Sequence, residues 1–161
     1  MDLADAATSG AILRHHECVF EAAQVVLAST CGVHLETHEL NESFAEDGVI
    51  MAVISLVGDV GWSLLLCLPR PTATGLAAKF AGFEIPFDST DMGDAVGELT
   101  NILAGEVKAR LDRLGVRADI SLPSVMRGEN TQFLGFPGTV MRQAGFSCPA
   151  GDLCVAVMTS E

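Results

Sequence analysis

Residues 91–115 read DMGDAVGELTNILAGEVKARLDRLG, and their apolar side chains recur at helical spacing. At about 100° per residue, one stripe of the predicted helix is apolar and would face a core. This stripe consists of Met92, Val96, Leu99, Leu103 and Val107. The opposite face, roughly 80° wide, carries Asp94, Glu98, Asn101, Gly105, Lys108 and Asp112. The stretch therefore predicts an amphipathic helix around which the rest of the chain is organised.

The polar face of this helix places a carboxylate and a carboxamide three residues apart, at Glu98 and Asn101. Gly105 follows one turn later, although glycine destabilises a helix by about 1 kcal/mol relative to alanine. Close packing of a neighbouring element would explain the glycine. A low shelf, on which another molecule approaches Glu98 and Asn101, would explain it as well. Without further context, the pair is also compatible with an ordinary solvated helix face.

Two segments, DAVGELTNILAGEVKARL at 94–111 and ISLPSVMRGEN at 120–130, resemble the CheX-like branch of the CheC/CheX/FliM group of chemotaxis proteins. The likeness is carried by Asp94, Glu98, Asn101 and Pro123. The family's phosphatase signature is Asp or Ser, three residues, Glu, two residues, Asn, and a proline further on. Here 21 residues separate Asn101 from Pro123, one fewer than the pattern expects.

This resemblance implies an enzyme that dephosphorylates the aspartyl phosphate of a CheY-like response regulator. In that role Asn101 would orient the attacking water, and Glu98 would form an ion pair with the regulator's active-site lysine. Asp94, Gly105 and Pro123 would belong to the docking surface. No cofactor of its own is implied, because Mg²⁺ would be supplied by the response regulator. The alternative is a non-catalytic binding module, similar to FliM, for a response regulator or a flagellar or signalling partner.

The residue types at this face suit a reaction in which water is the nucleophile. A carboxylate and an amide without an adjacent His, Ser or Cys do not form a nucleophile-and-base triad. Phosphoryl transfer mainly requires positioning and charge neutralisation. A side-chain amide can donate and accept hydrogen bonds at once, so it can hold a water in place.

Composition predicts a single domain over residues 1–161 with a sizeable core, since 49% of the residues are hydrophobic and 19% are charged. The formal net charge is −12, with nine Lys and Arg in total. This balance disfavours binding to nucleic acid or to an anionic membrane surface.

The five cysteines include no CxxC pair, which indicates reduced thiols in a cytoplasmic protein. The acidic start MDLADAATSG does not resemble a signal peptide, and no run reaches the roughly 18 apolar residues of a membrane span. His34, Glu36 and His38 share one face of a predicted strand. They could ligate a metal, but a solvated strand face or a subunit contact is the favoured interpretation, so no metal site is predicted.

The remaining patterns predict an α+β fold with a central, mostly antiparallel β-sheet and long helices packed against it. We expect helices over 8–31, starting at Thr8 or Ser9, and 71–80, and strands over 33–40, 49–57, 62–68, 117–122, 124–129, 139–146 and 153–159. Aligning 20–29 with 97–105 places Glu21 with Glu98 and Gln24 with Asn101. This alignment predicts two αβββ-like halves, approximately 8–68 and 90–159, about a pseudo-two-fold axis. It leaves open whether Glu21 and Gln24 form a degenerate second site. The family resemblance also implies a homodimer.

Overall fold

Three helices and seven strands make up the structure, a computed structural model that describes residues 3–41, 44–131 and 137–160, with side chains of the first helix from His15 onward. The helices are α1 (Leu3–Cys31), α2 (Arg70–Ala81) and α3 (Thr90–Arg113). The strands are β1 (Glu36–Thr37), β2 (Val49–Gly58), β3 (Gly61–Pro69), β4 (Ala118–Ile120), β5 (Ser124–Gly128), β6 (Thr139–Cys148) and β7 (Gly151–Ser160).

All seven strands belong to one sheet in the order β1-β6-β7-β3-β2, and β4 and β5 both pair with β2 at the far edge. Every one of these pairings is antiparallel. The sheet is symmetric about its centre, where β3 and β7 lie side by side. On the two sides of this centre β2 corresponds to β6, and the edge formed by β4 and β5 corresponds to β1. The predicted α+β fold with αβββ-like halves is confirmed, while the exact ranges of the two halves stay a prediction.

The core lies between one face of the sheet and the three helices. Alternate residues of β2 face it, from Ile50 to Leu56, as expected for a strand with one face against a core. The predicted stripe of α3 is confirmed, because Met92, Val96, Leu99, Leu103 and Val107 are all buried. Strand alternation and helical periodicity thus bring the two apolar surfaces together, and the polar face of α3 is left on the outside.

Two predicted boundaries near the start of the chain are wrong. Helix α1 begins at Leu3 rather than at Thr8 or Ser9, whose side chains lie outside the described ones. The predicted strand over 33–40 contracts to Glu36–Thr37, which pairs with β6. The chain then crosses closely over Gly145, where an added Cβ would lie 2.3 Å from the backbone oxygen of His38. Residues 38–40 therefore cross over β6 and do not extend its pairing with β1.

All five cysteines are free thiols. Cys67 and Cys154 lie directly opposite each other on β3 and β7. Among the described residues, no helix is long and apolar enough to cross a membrane.

His16 is a buried polar side chain on α1 that the sequence did not distinguish. It is 3% exposed, and its ring centroid lies 5.0 Å from that of Trp62. Neither ring nitrogen has a hydrogen-bond partner within the described part of the chain. Burial lowers the pKa of His16 below its ordinary value of 6.5, and the nearby Arg142 and His15 lower it further. The folded protein therefore favours the neutral imidazole.

This burial predicts a pH dependence of stability. As the pH falls through 6.5, the unfolded chain binds a proton at His16 that the folded state resists, so the free energy of unfolding decreases. The stabilisation is present in full above that value and is lost below it. Urea unfolding at about pH 7.5 and about pH 5.5 should show a smaller decrease for His16→Phe than for the wild type. The control is His34→Gln at an exposed histidine, and an equal decrease in all three proteins would contradict the prediction.

Candidate functional site

Helix α3 starts at a conventional cap. The Ser89 hydroxyl accepts a hydrogen bond from the backbone N–H of Met92 at 3.3 Å, and Asp91 lies in the first turn. A capping oxygen satisfies a backbone donor that has no partner within the helix, and a carboxylate there interacts favourably with the helix dipole. The direction in which α3 enters the fold is set at Ser89.

Two cations tie α3 to the strands at the sheet edge, one near each end. At the beginning of the helix, Arg127 of β5 donates to the carbonyl oxygens of Phe87 at 2.7 Å and Ser89 at 2.9 Å. Towards the other end, Lys108 of α3 donates to the carbonyl oxygen of Ala118 in β4. These two contacts are not predictable from the sequence, because no local pattern shows which distant carbonyl a cation will contact.

The outer face of α3 presents Glu98 and Asn101 next to each other. Three residues along a helix correspond to a rise of about 4.5 Å and an angular separation of about 60°. Asp94 and Glu98 are exposed and Asn101 is half-buried. Within the described residues, none of these three side chains makes a hydrogen bond or an ion pair. The carboxylate and the amide therefore remain available to another molecule.

The first half of α3 carries only acidic charges, whereas in the second half Glu106 and Asp112 are mixed with cations. Asp91, Asp94 and Glu98 occupy the first half, whereas its cations, Lys108, Arg110 and Arg113, all follow Asn101. The surface around Glu98 is therefore acidic, and it suits a positively charged group on a visiting molecule.

Pro123 lies against the turn of α3 that carries Glu98. A Cβ added to Gly97 would be 3.7 Å from Cγ of Pro123 and 3.4 Å from Cγ2 of Val125. Strand β5 and the preceding Pro123 thus approach the helix most closely at Gly97, a residue that the sequence alone did not indicate. The structure brings Pro123 within one helical turn of the carboxylate.

Gly105 lies in open space, because an added Cβ would meet nothing within 4 Å. The explanation of Gly105 by close packing of a neighbouring element is therefore wrong. Open space is compatible with the alternative explanation, a shelf beside Asn101, and the occupant of that shelf stays a prediction.

The corresponding pair on α1 differs from Glu98 and Asn101. The carboxylate of Glu21 accepts a hydrogen bond from Arg110 at 2.9 Å, and the same guanidinium contacts Glu106 at 2.9 Å. Gln24 is exposed. Because Arg110 already neutralises Glu21, an unpaired carboxylate beside an amide occurs at Glu98 and not at Glu21.

His34, Glu36 and His38 are all exposed. His38 Nε2 lies 3.4 Å from a carboxylate oxygen of Asp152. Across the described residues, no group of three or more His, Cys, Asp or Glu side chains is arranged to hold a metal ion.

Comparison with solved structures defines the class of fold. A CheC-like superfamily protein from Shewanella sp. PV-4 superposes with a TM-score of 0.77 and 19% identity, over 90% of this chain and 96% of that chain. In the crystal structure of the CheX-CheY-BeF3-Mg²⁺ complex from Borrelia burgdorferi, the matching chain gives a TM-score of 0.69 and 24% identity, over 89% of this chain and 95% of that chain. The molecule has the fold shared by CheC-like and CheX proteins.

Sequence comparison identifies the family within this class. The family model described as chemotaxis phosphatase CheX matches residues 50–135, more than half of the chain. The chain belongs to the CheX family, as the resemblance predicted. The CheY-P phosphatase CheX of Thermotoga maritima is 29% identical over 94 residues, which are 58% of this chain and 60% of that protein. The match thus spans about 60% of that relative's length.

The open surroundings of Gly105 predict a stabilising substitution. Gly105→Ala should raise the free energy of unfolding by about 0.5–1 kcal/mol, because alanine restricts the unfolded chain and meets no neighbour here. Chemical denaturation followed by circular dichroism measures the change. Gly93→Ala is a suitable control, since Gly93 is also helical and open. A loss of stability confined to Gly105→Ala would show that another element occupies the shelf.

Proposed function

We propose that this protein hydrolyses the aspartyl phosphate of a CheY-like response regulator, with Asn101 orienting the attacking water and Glu98 anchoring the regulator. The observation that carries the proposal is the unpaired carboxylate and amide on the outer face of a helix that is fixed near both ends. The function named for the Thermotoga maritima relative, CheY-P phosphatase, and the presence of CheY in the Borrelia burgdorferi complex support it.

The reaction requires little from the protein beyond the correct positioning of the attacking water and the phosphoryl group. Water attacks phosphorus, the bond between phosphorus and the aspartyl oxygen breaks, and the regulator recovers its carboxylate while inorganic phosphate leaves. Asn101 can accept a hydrogen bond from the water through its carbonyl oxygen and donate a hydrogen bond through its NH₂ group. Because its backbone belongs to a regular helix, the amide is held in position before the substrate arrives, which lowers the entropic cost of reaching the transition state.

Glu98 has a separate task in this proposal. Its carboxylate would form an ion pair with the active-site lysine of the regulator, and this pair would place Asn101 over the phosphoryl group. Glu98 lies in the acidic half of α3 and has no cation of its own within the described residues, so it can accept one from outside. Asp94 would flank the contact, and Gly105 and Pro123 would shape the surface on either side.

The remaining parts of the proposal concern the setting of the reaction. Mg²⁺ would arrive with the phosphorylated regulator as part of the substrate. We expect the protein to act in the cytoplasm as a homodimer, without contacting nucleic acid or inserting into a membrane. The net charge of −12 supports the expectation about nucleic acid, because a phosphate backbone would be repelled.

Removal of the amide should affect turnover more than binding. Asn101→Ala should lower the rate of phosphate release from a phosphorylated receiver domain by roughly 10²–10³, by analogy with the loss of one preorganised polar group at a reacting centre. Binding of the receiver should be preserved. Glu98→Ala should weaken binding and turnover together. Phosphate release under multiple-turnover conditions and calorimetric titration measure the two effects.

Gln24→Ala is the matched control, because Gln24 is an exposed amide on α1 at the corresponding position. It should keep full activity. Full activity of Asn101→Ala would contradict the proposed mechanism. If the wild type alters the lifetime of the phosphorylated receiver only at stoichiometric amounts, the protein is a binding module and the proposed activity is wrong.

A further inference from the structure

The edge strand beside α3 contains a bulge at Leu122 and Pro123. The backbone N–H of Ser121 donates to the carbonyl oxygen of Ser55, and Ser124 pairs with Val53. Two residues, Leu122 and Pro123, therefore stand opposite the single residue Ile54, which is the arrangement that defines a β-bulge. Ile54 is part of the core that faces the helices. The extra residue thus lies at the sheet edge that borders α3.

The bulge is held in place on both sides. In addition to the backbone bond, the Ser121 hydroxyl accepts from the N–H of Ser55 at 2.9 Å and donates to the carbonyl oxygen of Leu122 at 2.9 Å. On the helix side, Pro123 lies against Gly97 of α3. These contacts hold the backbone at Leu122 in one place relative to Glu98, although the side chain of Leu122 itself is almost uncovered.

Leu122 is 87% exposed, the largest value among the exposed large apolar side chains of the described residues. Single exposed apolar residues are common and by themselves indicate nothing. Leu122 differs in two respects, because its backbone is fixed and because the adjoining residue touches the helical turn that carries Glu98. Leu122 thus adjoins a residue that contacts the helical turn of Glu98, and a molecule bound at Glu98 and Asn101 can reach its side chain.

We propose that Leu122 is an apolar anchor, which a phosphorylated receiver domain covers when its active site receives Asn101. This inference rests on the proposed function and identifies which part of the surface supplies apolar contact. Glu98, Asn101 and Asp94 offer only polar groups, and exposed ion pairs contribute little net affinity. Burying one leucine side chain at an interface corresponds to roughly a tenfold to a hundredfold gain in affinity. Because the backbone is already ordered, little of this gain is lost to ordering the loop.

The proposed roles of Leu122 and Asn101 predict different kinetic effects. Leu122 does not reach the phosphoryl group in this arrangement, so its loss should weaken association and leave the chemical step unchanged. Leu122→Gln should raise KM for the phosphorylated receiver about tenfold and leave kcat unchanged. Leu122→Met, which keeps an apolar side chain of similar volume, should retain most of the affinity.

Leu114→Gln is the matched control, because Leu114 is also an exposed leucine, at 54%. It follows Glu98 by 16 residues along α3, which corresponds to about 24 Å. This variant should have the KM of the wild type. To separate binding from turnover, calorimetric titration compares Asn101→Ala with the double variant Asn101→Ala/Leu122→Gln, and the double variant should bind about tenfold more weakly.

The outcomes separate this inference from the proposed function. If the wild type releases no phosphate from any phosphorylated receiver, the proposed function fails and the inference fails with it. If the wild type is active and Leu122→Gln has an unchanged KM, the anchor role is wrong while the function stands. An equal rise in KM for Leu114→Gln, or an equal loss for Leu122→Met, would also overturn the anchor role.

Discussion

The attachment of α3 to the sheet is the interaction on which the rest of the molecule depends. Its apolar stripe closes the core, and the cations Arg127 and Lys108 connect it to β5 and β4 near its two ends. A buried helix face fixes the rotation of the helix about its own axis, and the two ties limit sliding along that axis. As a result, the side chains on the opposite face have defined positions although they contact little of the protein themselves.

The edge of the sheet beside α3 has a second role besides closing the core. An edge strand presents unpaired backbone groups and is usually interrupted or twisted to prevent further pairing. Here the interruption is the bulge at Leu122 and Pro123, which separates β4 from β5 and places a proline against the helix. The same local irregularity that interrupts the ladder therefore places Pro123 against Gly97, in the helical turn that carries Glu98.

The sequence predicted the features that depend on local pattern. The apolar stripe of α3 followed from helical spacing, and the strands β2 and β3 were expected over 49–57 and 62–68. The position of Glu98 and Asn101 on the outer face of the helix also followed, because that face is the complement of the buried stripe.

Features that depend on long-range pairing were not predictable. Strand β1 is short because the chain crosses over Gly145 of β6 directly after Thr37, and the alternating pattern of 33–40 contains no information about that crossing. The ties made by Arg127 and Lys108 and the pairing of Glu21 with Arg110 depend on how distant segments meet. Strand β7 illustrates the same constraint during synthesis: it is translated after every other described strand, yet it lies between β3 and β6 in the middle of the sheet. Until residues 151–160 are synthesised, β3 and β6 each lack a neighbour on one side, so the backbone N–H and C=O groups along that edge stay unpaired, and unpaired edges promote aggregation.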